Sequence, residues 1–422
     1  MFRSLRHPNF RFFFLGQIVS LVGTWMQIVA VSWLAYRLTS SPLLLGCVAF
    51  AAQIPSLFLA PVAGVVADRY DRRRLLMVTQ VLCMVQAAVL TILVVTGAVT
   101  IGHILWLSFF LGIVNAFELT IRQSFLVELV EHRSDLANAI ALNSLMFNAS
   151  RLVGPTLAGI LIVAFGEGVC FLVNACSYAA VIVALWFIRL APHAPVRHAL
   201  DIGRELRDGV RYAFGFLPIR LLLLIIALFS AVAAALHTLL PVFVKEVFHG
   251  GPRMFGLLLT VSGMGAVVGT VYLAHKRSVA GFVEKIAVAV VVMGLGLAAF
   301  ASTHVFWVAC VAAFFVGLSM MVGIGGGNMV LQTLVEDDKR GRVMSLYAVA
   351  LMGTAPFGSL GAGAFAARFG PGAALVAGGV FCLGGAVLFW KKLRRFHLKA
   401  APVYPLAVPP EEGVFQSMET EG

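Results

Sequence analysis

The sequence predicts an all-α membrane protein with twelve transmembrane helices in two pseudo-symmetric six-helix bundles. Three observations support this: the composition, twelve apolar stretches long enough to span a bilayer, and positive charge gathered on one side. Of 422 residues, 60% are hydrophobic and only 12% are charged. A soluble domain carries about 25% charged residues because its surface faces water. Most of this protein's surface is therefore expected to face lipid.

Each apolar stretch has about 20 residues, which suffices for a helix to cross a hydrocarbon core of ~30 Å. The first stretch is too long for the core of a signal peptide, so we expect it to be retained. The alternating pattern of a transmembrane β-barrel is not seen. The predicted spans cover roughly 12–36, 43–66, 75–97, 102–126, 139–165, 168–189, 219–244, 254–274, 284–302, 304–331, 343–366 and 372–390.

The basic residues predict the topology. If the N-terminus is cytoplasmic, the cytoplasmic segments hold 25 of the 31 Lys and Arg residues. This asymmetry follows the positive-inside rule and places both termini in the cytoplasm, in a bacterial inner membrane. It also argues against a nucleic-acid partner, because the net charge of +12 is distributed among the loops and termini as the topology of a membrane protein requires. Four basic residues lie on the opposite side and two inside spans: Arg37, Lys245, Arg253 and Arg368, then Arg122 and Arg151.

The chain divides into an N-terminal bundle (1–189), a cytoplasmic linker with an amphipathic helix (190–218), a C-terminal bundle (219–392) and a disordered cytoplasmic tail (393–422). The halves also resemble each other in sequence. Gly154 and Gly159 match Gly358 and Gly363 at an offset of 204. We interpret this as duplication of a six-helix unit, although glycine-rich helices could match in part by chance. Two such halves around a central site are typical of alternating-access transporters.

The sequence predicts no enzyme, metal site or cofactor. Its six cysteines all fall inside predicted spans and form no Cys-x-x-Cys pair, which argues against zinc and disulfides. The glycines at 323–327 are followed by Asn328 and not by Lys-Ser or Lys-Thr. A phosphate-binding loop is therefore absent, and ATP is not the expected energy source.

The most specific string is Gly-Val-Val-Ala-Asp-Arg-Tyr-Asp-Arg-Arg from Gly64, between spans two and three. It resembles the motif of the major facilitator superfamily, G-x-L-A-D-R-x-G-R-R, with Asp71 at the second glycine. The resemblance implies that Asp68 docks on the N-terminus of span eleven, from Val343 onward, where a helix dipole favours a carboxylate. It also implies that the basic residues bind Glu128. The alternative is an ordinary positively charged loop. The predicted gating residues are Gly64, Asp68, Arg69, Arg72, Arg73 and Glu128.

A second string, residues 122–161, resembles the drug- and siderophore-exporting branch that includes the enterobactin exporter, and residues 5–395 fit that branch in pattern. Arg151 with Gly154, Pro155 and Gly159 is similar to the span-five motif associated with exporters. The glycines permit close helix approach, and the proline bends the helix. The alternative is that they are ordinary packing glycines.

Charges inside the membrane are costly and point to function. Glu118 is the one carboxylate predicted deep inside a span, Arg122 lies four residues on, and Arg151 is mid-span in helix five. A carboxylate near arginines can exchange a proton, which coupling requires; the alternative is a structural Glu118–Arg122 bridge. Other polar residues predicted to line a cavity or bond between helices include Asn115, Asn148, Asn328, Gln332, His237, Gln27 and Asn174.

The resemblance implies a monomeric secondary transporter that exports a small amphiphilic solute (a siderophore, drug or metabolite) by alternating access, in antiport with protons. Two alternatives stay open. One is an importer or uncoupled facilitator of the same fold. The other is a non-transporting receptor or scaffold, against which buried charge argues.

Overall fold

The computed structural model describes residues 3–130, 133–188, 210–276, 279, 281–336 and 339–400, and confirms the all-α membrane fold. These residues contain twelve helical spans that are long and apolar enough to cross a membrane, and no strand occurs among them. The helices are α1 (Pro8–Thr39), α2 (Pro42–Arg69), α3 (Arg72–Val95), α4 (Ile101–Glu128), α5 (Arg133–Phe165), α6 (Glu167–Phe187), α7 (Leu217–Glu246), α8 (Pro252–Ala274), α9 (Phe282–Ser302), α10 (Phe306–Leu334), α11 (Arg340–Met352), α12 (Thr354–Phe369) and α13 (Pro371–Ala400).

The eleventh span is interrupted, which the sequence prediction of one segment over 343–366 did not anticipate. It consists of α11 and α12, separated at Gly353. Pro356 follows and has no amide hydrogen, so the carbonyl of Met352 loses its usual partner in the helix ladder. A side-chain carbon at Gly353 would lie 2.8 Å from Leu57 Cδ1 on α2, so the break sits where two spans come close.

The twelfth span extends past its predicted end, so the prediction of a disordered tail from 393 is wrong for residues 393–400. Helix α13 continues to Ala400. Its last turns are held by packing, because the Phe396 ring is 1% exposed and lies 6.3 Å from the Phe389 ring. His397 Nε2 also lies 2.9 Å from Glu284 Oε1. Residues 401–422 and most of the predicted linker helix, at 204–211, lie outside the described residues.

The two halves are built alike. In the first half α1 packs on α5, α2 on α4, and α3 on α6; in the second half α7 packs on α12, α8 on α10, and α9 on α13. The main contacts between the halves are α2 with α12 and α5 with α8. These two contacts are equivalent, because the pseudo-symmetry relates α2 to α8 and α5 to α12. This pairing is the two-fold pseudo-symmetry that the sequence predicted.

The repeated glycines occupy equivalent places in the two halves. A side-chain carbon at Gly159 on α5 would lie 2.8 Å from the Pro252 carbonyl oxygen, at the start of α8. One at Gly363 on α12 would lie 2.6 Å from the Pro42 carbonyl oxygen, at the start of α2. Only glycine permits such an approach of two backbones. The shared feature of the halves is therefore these glycine crossings and not the Gly-Pro pair, which occurs in α5 alone.

The halves are sealed against each other at the end away from the chain termini. There Trp33 on α1 stacks on Phe255 on α8, with ring centroids 6.2 Å apart. One buried apolar cluster joins residues of α1 and α2 to residues of α7 and α8. Towards the termini, the first half has its own cluster, formed from α1 to α6. Among the described residues, α4 and α5 do not pack closely on α10 or α11, so the space between the halves opens towards the termini, where Leu145 and Gln332 are exposed.

Candidate functional site

A cavity of about 470 Å³ lies between the halves, on the open side of the seal. Helices α1, α2, α4 and α5 of the first half line it, together with α7, α8, α10 and α12 of the second. Its wall is mostly apolar, with Trp25 and Phe255 among the aromatic side chains. The polar side chains with amide, guanidinium or imidazole groups are Gln27, Gln53, Asn115, Arg151 and His237.

Four of the residues predicted to line a cavity or bond between helices line this space: Gln27, Asn115, Arg151 and His237. They come from α1, α4, α5 and α7, so the halves meet around them. The Arg151 guanidinium carbon lies 5.8 Å from the centroid of the Trp25 indole. Arg151 and His237 are close enough to interact electrostatically across the interface between the halves.

The other predicted cavity residues lie elsewhere. Gln332 Nε2 donates to Asn328 Oδ1 at 3.0 Å, and both line a separate recess of about 510 Å³ beside Arg340 on α10 and α11. Asn148 is half-buried, and its Nδ2 donates to the Ser144 carbonyl of its own helix at 2.8 Å.

Glu118 forms an ion pair with Arg122 inside the first half and does not line the cavity. Arg122 Nε lies 3.0 Å from Glu118 Oε1, and their side chains are 9% and 17% exposed. The N–H does not point at the oxygen well enough for a hydrogen bond. Glu118 also interacts electrostatically with Cys83 and Tyr178. The predicted approach of Arg151 to Glu118 is not seen, because the two helix faces point to different spaces.

A buried hydrogen-bond network leads from the cavity wall towards Glu118. Gln27 Nε2 donates to Gln86 Oε1 at 2.9 Å. Asn174 Nδ2 donates to Gln27 Oε1 at 2.8 Å and lies 3.3 Å from the Tyr178 hydroxyl. Tyr178 in turn interacts electrostatically with Glu118. Sequence reasoning missed Gln86 and Tyr178, because a single Gln or Tyr in a span gives no signal of its partners.

The loop between α2 and α3 holds a charged cluster centred on Arg72. Its Nη1 lies 2.6 Å from Glu128 Oε1, the pair that the resemblance implied, and its Nη2 lies 3.2 Å from Asp68 Oδ1. Asp68 is 47% exposed, and its described partner is Arg72. A contact from Asp68 to the first turn of α11 is not seen among the described residues, and the molecule is open at this end.

The remaining motif residues have separate roles. Arg73 donates to the carbonyl oxygens of Leu185 and Trp186, at 2.7 and 3.0 Å, and so ties α3 to the end of α6. Asp71, which departs from the family pattern, caps α3 by accepting from the Arg74 amide at 2.7 Å. Arg69 is exposed. Nothing lies within 4 Å of a side-chain carbon built at Gly64, so no close approach requires glycine there in this arrangement.

The sealed end carries polar contacts that the sequence did not predict. The Tyr36 hydroxyl on α1 donates to Glu246 on α7. The Lys245 ammonium lies 5.3 Å from the Tyr36 ring centroid. Within the first half, Arg37 Nε donates to Glu167 Oε1 at 2.7 Å. Tyr36 and Glu246 are 210 residues apart and belong to different halves, so this bond joins the halves at the sealed end.

The span-five residues lie where α5 crosses its neighbours. A side-chain carbon at Gly154 would lie 2.4 Å from Trp25 Cβ on α1. The Pro155 carbonyl oxygen would lie 2.3 Å from a side-chain carbon at Gly256 on α8. Pro155 also lines the cavity, so the seal between the halves continues directly into the cavity wall.

The chain is similar in sequence to proteins that are known as transporters. The Staphyloferrin A transporter of Staphylococcus aureus (strain NCTC 8325 / PS 47) is 26% identical over 360 residues, covering 83% of this chain and 87% of its own. The Multidrug efflux pump Tap of Mycolicibacterium fortuitum is 25% identical over 394 residues, covering 90% and 95%.

Solved structures support the fold. A bacterial homolog to the human lysosomal transporter Spinster, in an inward-facing and occupied conformation, matches with a TM-score of 0.71 at 15% identity, covering 93% of this chain and 98% of its own. The family model described as "Transmembrane secretion effector" matches residues 1–418. The chain therefore belongs to the transmembrane secretion effector family of major facilitator superfamily transporters, a family with siderophore and drug efflux members.

Proposed function

We propose that the protein is a secondary active exporter that moves a small amphiphilic solute outward by alternating access. The observation that carries the proposal is the cavity between two pseudo-symmetric halves, sealed at one end and open at the other. A cavity of about 470 Å³ falls in the range of sites for small organic molecules, about 300–1,000 Å³. The relative named as a multidrug efflux pump supports the outward direction.

The packing suggests how the cavity changes sides. The contacts α2–α12 and α5–α8 are equivalent under the pseudo-symmetry, so the halves can rock as rigid bodies about the middle of these helix pairs, while the contacts near the sealed end, such as Gly256 against Pro155, separate. In the alternate state the Tyr36–Glu246 bond breaks at one end. At the other end Asp68 reaches the first turn of α11, as the family resemblance implies.

Protons supply the driving force in this proposal, with Glu118 as the coupling group. Glu118 is an ionisable carboxylate within a membrane span, with Arg122 beside it and a polar network leading to the cavity wall. Protonation of Glu118 would release Arg122 from its partner and alter the packing of α4. The coupling is therefore indirect, because Glu118 does not line the cavity.

The membrane and its orientation belong to the same proposal. The 25 basic residues on the side of the termini favour a bacterial inner membrane with both termini in the cytoplasm. In that orientation the cavity described above opens to the cytoplasm, where an exporter takes up its substrate. We propose that one chain is the transporting unit, because both pseudo-symmetric halves that enclose the cavity belong to the same chain.

The test is transport into proteoliposomes that contain the purified protein. The probes are a panel of dansyl dyes that carry a negative, a neutral or a positive group, with and without an acidic lumen. An antiporter accumulates at least one dye only when the lumen is acidic. Equal uptake without the gradient would indicate a facilitator, and no uptake of any dye by folded protein would indicate a receptor or scaffold.

A further inference from the structure

The cavity wall is cationic. Among the residues that line it, Arg151 is the one with a permanent charge, and none is Asp, Glu or Lys. Any ligand that fills the cavity has to meet this charge.

Arg151 has no protein counter-ion in the part of the chain that the structure describes. Its described contact is the face of Trp25, at 5.8 Å. The carboxylate of Glu118, the intramembrane acid that could have served, is paired with Arg122 at 3.0 Å. A charge within a membrane span is costly unless it is paired or hydrated, and a solute that fills this cavity displaces the water around Arg151. That cost falls when a bound anion supplies the missing charge.

Hydrogen-bond donors accompany the charge. His237 and Asn115 line the same cavity, and no hydrogen bond of either side chain is described within residues 3–130, 133–188 or 210–276. The Ser359 hydroxyl is buried in the wall without a partner among the described residues. These side chains can donate to the oxygens of an anionic group, whereas Gln27 already bonds to Gln86 and Asn174.

We propose that the cavity selects an amphiphilic organic anion, with a carboxylate bound to the Arg151 guanidinium and an apolar body against Trp25 and Phe255. An arginine binds a carboxylate through two parallel N–H···O bonds, which gives orientation as well as charge. The proposal rests on the proposed function, since it names the substrate class of the same cavity. It excludes cationic drugs as preferred substrates.

The experiment compares three probes that share a fluorophore: dansyl-phenylalanine, its neutral carboxamide, and the cation dansylcadaverine. Binding to the full-length protein in lipid nanodiscs is titrated by fluorescence anisotropy. We expect the acid to bind at least tenfold more tightly than the amide and the cation. Equal or weaker binding of the acid, or no binding of it, overturns the proposal, and this comparison needs no variant.

The variants assign the preference to one residue. Arg151→Gln should reduce acid binding at least tenfold and leave amide binding within twofold, while Arg151→Lys should retain part of the preference. Arg253→Gln, which removes an exposed cation outside the cavity, is the matched control and should change nothing. An acid preference that survives in folded Arg151→Gln overturns the assignment.

The outcomes also separate this proposal from the proposed function. Acid-selective binding without gradient-driven uptake of any dye would support the anion site and reject export. Gradient-driven uptake of the cation or amide in preference to the acid would support export and reject the anion site.

Discussion

A single methyl group at Gly256 should break the seal between the halves. In Gly256→Ala the new carbon would lie 2.3 Å from the Pro155 carbonyl oxygen and 3.1 Å from the Pro155 carbonyl carbon. Both atoms are backbone, so no side chain can rotate away. Because ordinary contacts begin near 3.4 Å, α5 and α8 have to separate by about 1 Å to accept the methyl group.

The expected shift follows from the cost of overpacking, about 1–3 kcal/mol. This cost applies to the sealed arrangement, in which α5 and α8 are in contact, and is relieved when the seal opens. A difference of 1–3 kcal/mol changes the ratio of two states about 5- to 150-fold. A sealed end that is populated at about 99:1 would therefore shift to a ratio between about 95:5 and about 40:60.

Spin labels can measure this ratio. One label at Leu38 on α1 and one at Arg253 on α8 report the distance across the sealed end, since both positions are exposed. The native cysteines are first replaced, because Cys176 is exposed and would also be labelled. Double electron–electron resonance should show a longer-distance population in Gly256→Ala that is weak in the parent.

The matched control is Gly361→Ala on α12, where the added carbon meets nothing within 4 Å. It brings the same gain in helix propensity, about 1 kcal/mol, without the clash. We expect the control to keep the parental distances. An unchanged distance distribution in well-folded Gly256→Ala would refute the reasoning that this contact holds the end closed.

Three further predictions concern the charged and polar contacts. Glu118→Gln should abolish dye accumulation driven by a pH gradient while leaving downhill exchange. If Glu118 only neutralises Arg122, the loss of Glu118 should instead lower the Tm. A second change, Arg122→Gln, should then restore the Tm, because both charges leave together. Full gradient-driven transport by a stable Glu118→Gln variant would exclude Glu118 as the coupling group. Tyr36→Phe removes a hydrogen bond to the Glu246 carboxylate, and a bond of this kind contributes about 1.5–3 kcal/mol. The spin labels should therefore report more opening of the sealed end. Unchanged distances would show that the Tyr36–Glu246 bond does not hold this end closed. Asp68→Asn should impair transport more than it lowers the Tm. It should also disfavour closure of the halves at the end that carries the termini, which thiol accessibility at positions on both faces measures. Normal transport with normal accessibility would show that Asp68 does not stabilise that closure.

Several features were determined by the sequence alone. The spans could be located because hydropathy over about 20 residues is a local property. The motif around Gly64 resembles one in which the basic residues bind an acidic group at Glu128, and in the structure Arg72 lies 2.6 Å from Glu128. The glycine repeat at an offset of 204 predicted two similar halves, since a backbone crossing requires glycine in either half.

The break in the eleventh span and the extension of α13 show where local pattern was insufficient. Pro356 is visible in the sequence, but prolines inside α2, α5 and α7 do not divide those helices. The last turns of α13 depend on Phe396 packing against Phe389 and on His397 meeting Glu284 of another helix. Neither contact can be inferred from the Lys- and Arg-rich sequence of this segment.

The candidate site itself was decided by tertiary structure. Glu118, Arg122 and Arg151 were all recognised as intramembrane charges, but only packing placed Arg151 in the cavity and the other two inside the first half. In a soluble helix the polar face would have indicated which side chains point together. In lipid the outward face is as apolar as the interior, so the sequence carries little information on how each helix is rotated. The rotation is fixed by contacts such as Gly154 against Trp25, formed between helices distant in the chain.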